Sequence, residues 1–128
     1  MSKVVFKCRL NGRARIKKNS KQIWRGKNGR PFITTSNQFK AWAVFASVFI
    51  DKANQNKEPI SVPCNLSVKC FYKNHAHEQD LENVISSISD LLEDCGVIKN
   101  DKLFYSYDNS RKFFNSEDEC VEIEVSLL

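Results

Sequence analysis

Hydrophobic residues in this chain change period along its length, and that change restricts where strands and helices can stand. Between Ser61 and Phe71, Val62, Cys64, Leu66, Val68 and Cys70 occupy alternate positions. This is the period-two mark of a strand with one buried face, and Pro63, which cannot donate to a ladder, stands near its start. Leu81, Val84, Ile85, Ile88, Leu91, Leu92 and Cys95 then recur at three- and four-residue spacing, behind Asp80 as a helix N-cap and ahead of Gly96 as a stop. The period returns to two in Cys120 to Leu127. A chain that switches in this way has to pack helices on a sheet.

The remaining segments fit the same plan. Val4 to Leu10 reads as a half-buried strand ended by Asn11-Gly12. Gln22-Ile23-Trp24 and Pro31-Phe32-Ile33 flank Asn28-Gly29, a pair that tolerates the positive φ of a hairpin turn. Ser36 is a candidate N-cap for a helix over about 37–56, on which Phe39, Trp42, Ala43, Ala46, Phe49, Ile50 and Ala53 form the apolar stripe. Residues 73–79 read as a polar loop, 103–107 as a short strand, and Asp108-Asn109-Ser110 as a turn. The expected class is α+β: one domain over residues 1–128, a mixed sheet with two packed helices.

At 128 residues the chain can bury roughly two-thirds of its unfolded surface around one core. It holds no run of about 18 apolar residues that would span a membrane, and its first residues lack the apolar core of a secretory signal. The expected location is the cytoplasm. Five cysteines, an odd number with no Cys-x-x-Cys pair, argue against a disulfide framework or a zinc ribbon and read as small core residues.

The net charge of +5 understates the electrostatics. Residues 1–75 carry sixteen Lys and Arg against two acids, and residues 76–128 carry four against thirteen. Arg13, Arg15, Lys17, Lys18, Lys21, Arg25, Lys27 and Arg30 crowd an acid-free stretch that also holds Trp24 and Phe32. Such a stretch repels itself unless a polyanion is near, which points to nucleic acid; the plainer alternative is a solvated basic surface.

Asp80 and Glu82 open the second helix, and Asp101 follows its end by a few residues. Carboxylates converging from separate segments can hold a hard divalent ion that keeps several waters and leaves room for a phosphodiester. The plainer reading makes Asp80 a cap, Glu82 a first-turn acid facing the helix dipole, and Asp101 a solvated loop residue. Asp90, Glu93 and Asp94 read as the exposed face of the same helix. His75 and His77 either form an imidazole metal site with Asp80 or are polar loop residues near phosphate.

Asp80-Leu81-Glu82-Asn83, a helix, and then Gly96-Val97-Ile98-Lys99-Asn100-Asp101 resemble the paired motifs of RusA-type Holliday junction resolvases. Upstream, Arg15-Ile16-Lys17-Lys18-Asn19-Ser20, Arg30-Pro31-Phe32 and Ser36-Asn37-Gln38-Phe39-Lys40-Ala41-Trp42 are similar to that family's N-terminal pattern. The resemblance covers nearly the whole chain in order. It implies a homodimeric, magnesium-dependent endodeoxyribonuclease, with Mn²⁺ as a possible substitute. Such an enzyme makes paired nicks in four-way DNA junctions during recombination and repair, leaving 5′-phosphate and 3′-hydroxyl ends. Asp80, Glu82 and Asp101 take the positions of the family's catalytic metal-binding acids. The sequence departs from the family in three places: Glu82 replaces an Asp, Asn100 replaces the first of two paired acids, and Ser86 stands where a catalytic Lys is known. A non-catalytic module that binds branched DNA or RNA is the alternative that these departures keep open.

Overall fold

The structure is a computed structural model that describes residues 3–16, 21–25, 31–35 and 37–128, with the backbone alone for the segments 21–25 and 31–35. Its elements run β1 (Val4–Asn11), β2 (Lys21–Arg25), β3 (Pro31–Thr35), α1 (Asn37–Asn54), β4 (Cys64–Phe71), a 3-10 turn (His75–His77), α2 (Leu81–Asp94), a second 3-10 turn (Asp101–Leu103), β5 (Phe104–Ser106), β6 (Arg111–Phe113) and β7 (Cys120–Leu127).

Five strands form one mixed sheet in the order β1-β7-β4-β5, with β6 also paired to β4, while β2 and β3 form a separate antiparallel hairpin. The last strand therefore lies inside the sheet, antiparallel to both β1 and β4. α1 packs over β1, α2 packs over β4, and the two helices touch. This is the expected α+β class, with two helices and a mixed sheet among the described residues.

Period two explains the sheet's two faces. Phe6, Cys8 and Leu10 of β1, Leu66, Val68 and Cys70 of β4, and Val121, Ile123 and Val125 of β7 are buried in one core with Phe39, Trp42, Ala46 and Ile50 of α1 and Val84, Ile88, Leu91 and Leu92 of α2. On the other face, Lys7 and Arg9 stand in register opposite Glu124 and Glu122, and Lys69 of β4 stands opposite Glu122 from the other side. Opposite charges across a ladder stabilise the pairing modestly, about 0.2–1 kcal/mol each.

The far edge of β4 is shared. β5 pairs with it in parallel near Cys64 and Asn65, and β6 near Lys69 to Phe71. Between them the hydroxyl of Ser110 accepts the N–H of Val68 at 3.0 Å and donates to the carbonyl of Leu66 at 3.4 Å. Asn65, only 7% exposed, is held at both ends of its amide: its Oδ1 accepts from the hydroxyl of Ser106 (2.6 Å) and the N–H of Asp108 (2.7 Å), and its Nδ2 donates to the Asp108 carbonyl (3.2 Å). One buried amide thus fixes the β5–β6 connection.

Sequence and structure differ at several boundaries. α1 stops at Asn54 because Gln55 and Asn56 both take positive φ. β4 begins at Cys64, after Pro63. The loop at 73–79 contains a 3-10 turn in which the Asn74 side chain accepts the N–H of Ala76. β6, three residues long, has too few positions to show a period. The hairpin is present as β2 and β3, with Trp24 opposite Phe32. Its Asn28-Gly29 turn and the Ser36 cap lie outside the described residues. All five cysteines are free, and four of them are buried.

Candidate active site

α2 begins where Asp80, in extended conformation, accepts the N–H of Asn83 through its side chain at 3.3 Å. The helix buries Val84, Ser87, Ile88, Ser89, Leu91 and Leu92. Its flank, carrying Glu82, Ile85, Ser86, Ser89 and Asp90, lines a cavity of about 500 Å³. Spacing of three and four residues puts these side chains in one row.

The other wall comes from the chain beyond the helix. α2 ends in a Schellman arrangement: Gly96, at φ +74°, donates its N–H to Glu93 O (3.0 Å), and Val97 donates to Leu92 O (2.9 Å). A positive φ there favours glycine. Residues 97–99 are then tied to Ile60, whose N–H reaches Val97 O and whose carbonyl accepts from Lys99, both at 2.9 Å. Asn100 caps the second 3-10 turn by accepting the N–H of Lys102 at 2.9 Å. The backbone N–H of Asp101 donates to Oε1 of Glu93, also at 2.9 Å. Asp101, Lys102, Phe104 and Tyr107 complete the cavity.

Glu82 and Asp101 thus meet in one cavity from separate segments, whereas Asp80 sits at the helix cap and does not line it. Among the described residues, no three His, Cys, Asp or Glu side chains come close enough together to hold a metal ion. Two carboxylates with Ser86 and Ser89 beside them still fit a hard ion such as magnesium, which takes one or two carboxylates and fills its remaining positions with water and substrate phosphate.

Four residues of this cavity were not singled out from the sequence: Ser89, Phe104 and Tyr107, and Asp90, read above as part of a solvated face. Tyr105-Ser106-Tyr107 carries a faint signal, since alternation puts both tyrosines on one side; they are 68% and 44% exposed. Glu93 acts on the site from outside by holding Asp101. Of the lysines near the motifs, Lys102 lines the cavity, while Lys73 lines a second one with Arg9, Asn11, Gly12, Asp118 and Glu119.

That second cavity borders a charged network. Glu119 accepts from the backbone N–H of Lys73 at 3.1 Å, lies 2.9 Å from Nδ1 of His77 and 3.5 Å from Nε of Arg13. Burial pushes the Glu119 carboxyl upward, but His77, the Lys73 N–H and Arg13 outweigh it and hold the group below its ordinary range. His75 stacks on Phe114 with centroids 3.9 Å apart. Both imidazoles therefore have protein partners. Gln79 accepts from the Tyr72 hydroxyl at 3.1 Å and donates to Ala14 O at 2.6 Å, which joins the loop before α2 to the basic arm.

Of the basic residues expected to meet DNA, Arg13 and Arg15 are exposed. Lys17, Lys18, Lys27 and Arg30 lie outside the described residues, as do the side chains of Lys21 and Arg25 in β2.

The family model described as Endodeoxyribonuclease RusA matches residues 11–126, a span that holds both motifs and both cavity walls. The chain belongs to the RusA endodeoxyribonuclease family, and is thereby a nuclease of the Holliday junction resolvase type. Nucleases of this family are metal-dependent and take branched DNA as substrate. No curated protein matches the sequence.

Proposed function

We propose that this chain is a magnesium-dependent resolvase that works as a homodimer, each copy nicking one strand of a four-way junction, with Asp80, Glu82 and Asp101 as its acidic site. The observation that supports this most is the meeting of Glu82 and Asp101 in one cavity beside Lys102. In this reading Glu82 and Asp101 hold the ion directly, and Asp80 reaches it from the helix cap when substrate is bound. The ion, when present, supplies Lewis acidity and a nucleophilic water at neutral pH.

The chain's own residues do the rest. Ser86 and Ser89 offer hydroxyl donors to phosphate oxygens along the helix flank. The ammonium group of Lys102 faces the charge that develops as a water oxygen bonds to phosphorus and the bond to the 3′ oxygen breaks; that oxygen leaves with a proton as the 3′-hydroxyl. Lys102 thereby takes the part of the cation that Ser86 lacks. Arg13, Arg15, Lys17, Lys18, Lys21, Arg25, Lys27 and Arg30 grip the junction arms by charge.

The test is nicking of a synthetic four-way junction with Mg²⁺, with Mn²⁺ and with chelator. Paired nicks in the presence of metal, reduced at least about 100-fold in Asp101→Asn while junction binding persists, are expected. Binding without cleavage under any metal would make the chain a non-catalytic module. Tighter binding of structured RNA than of junction DNA at equal salt would count against the DNA reading.

A further inference from the structure

The cavity of Glu82 and Asp101 has a side that chemistry at phosphorus does not use. Glu82, Ser86, Asp101 and Lys102 suit a hydrated ion and a phosphate, but Ile85, Phe104 and Tyr107 give the same cavity an apolar wall. Neither a phosphate nor a hydrated ion gains from apolar surface, since each gives up water there. At about 500 Å³ the cavity falls within the size of sites that enclose small organic ligands, roughly 300–1,000 Å³, so it has room for more than an ion and a phosphate.

The wall is graded. Phe104 is buried in the core and Ile85 is half-buried, whereas Tyr107 is 44% exposed. Among the described residues no other ring and no cation is seated on the Tyr107 ring. Its backbone, in contrast, is held on both sides. The Ser106 hydroxyl and the Asp108 N–H both donate to Oδ1 of Asn65, at 2.6 and 2.7 Å, and the Tyr107 carbonyl accepts the N–H of Ser110 at 3.2 Å. An aromatic ring carried on a fixed backbone gives up little conformational freedom when it meets a ligand. The substrate supplies a partner for it: a phosphodiester brought to Glu82 and Asp101 carries a flat base on the nucleotide at either side. Unstacking a base costs least where pairing is already disturbed, as at a branch point.

We infer that the Tyr107 ring stacks on an unstacked base next to the cleaved bond and so fixes the position of the phosphate before the acids. This rests on the reading of the cavity as the cleavage site and adds a base to what that cavity holds. A thermodynamic cycle between ring and base tests it, using the full chain and a synthetic four-way junction whose cut position has been mapped. The junction carries its normal bases, or an abasic nucleotide on one or the other side of the cut. Binding in chelator gives Kd on uncut strands, and cleavage with Mg²⁺ gives kcat/KM. Tyr107→Leu, which fills the place of the ring without a π face, loses roughly 10-fold on the normal junction, the effect of removing one base–aromatic stack, and Tyr107→Phe recovers most of it. On an abasic junction the unaltered chain has already lost that factor and Tyr107→Leu costs nothing more, so the two changes are not additive. Such coupling in either quantity, at either nucleotide, supports the stack. A Tyr107→Leu chain as good as the unaltered one, or a loss of equal size on normal and abasic junctions, overturns it. An Asp101→Asn chain that cleaves normally overturns the reading of the cavity as the cleavage site, whereas loss of cleavage in Asp101→Asn without ring–base coupling overturns the stack alone.

Discussion

At the scale of single residues, the acids proposed to serve the metal are distinct from the groups that hold them in place. Asp80 is a helix cap in the structure and a metal-binding acid in the proposal, and two substitutions tell the roles apart. Asparagine caps as well as aspartate, so Asp80→Asn keeps the melting temperature, whereas Asp80→Ala costs about 1 kcal/mol. If the carboxylate also serves the metal, both variants lose junction cleavage; an Asn variant that cleaves normally reduces Asp80 to a cap. Glu93 is a positioning residue, because its carboxylate receives the Asp101 N–H. If Asp101 is a ligand as proposed, Glu93→Ala should lower kcat on the junction roughly 10-fold with little change in KM, since it displaces that acid without removing it. Among the thiols, burial pushes Cys70 up to about 11. Cys8, Cys64, Cys70 and Cys120 should therefore resist a thiol reagent in the native protein and all react in denaturant.

At the scale of elements, the cavity depends on how α2 ends and how β5 is tethered. Gly96 at φ +74° allows the turn that sends Asp101 back along the helix. Gly96→Ala costs about 1 kcal/mol in denaturant unfolding, and the cost falls on the connection that carries Asp101, a metal-binding acid in the proposal. Asn65→Ala leaves the Asp108 N–H without its acceptor and frees the loop that carries Tyr107. A loss of about 1–3 kcal/mol is expected, checked by urea midpoint, together with weaker junction cleavage.

At the scale of the molecule, Glu119 joins the start of β7 to Arg13 and to the loop before α2. Its folded pKa lies below the unfolded one, so its contribution to stability is present above the unfolded pKa and lost as pH falls through the folded value. Near pH 7, Glu119→Gln should be less stable to unfolding than the unaltered chain by about 1 kcal/mol. That gap should close as the pH is taken below the carboxylate range, and a gap unchanged in acid would remove Glu119 from the account. Junction affinity belongs to the same scale: if the basic arm neutralises several phosphates, as proposed, affinity should fall steeply with salt.

What the sequence determined by itself was everything set by local period and local chemistry. The strict alternation of Cys64 to Cys70 and of Cys120 to Leu127, the stripe of α2, its Asp80 cap and its Gly96 stop all follow from side-chain spacing and backbone preference. Tertiary structure decided what depends on distant segments meeting. It inserted β7 between β1 and β4, so that Glu122 and Glu124 face Lys7, Arg9 and Lys69 although the acids stand far from these bases along the chain. It set Asp90, Ser89 and Tyr107 around Glu82 and Asp101, and gave Glu93 a partner eight residues away. No local pattern carries such information, because a strand's neighbours and a carboxylate's surroundings are chosen by the packing of the whole core rather than by adjacent residues.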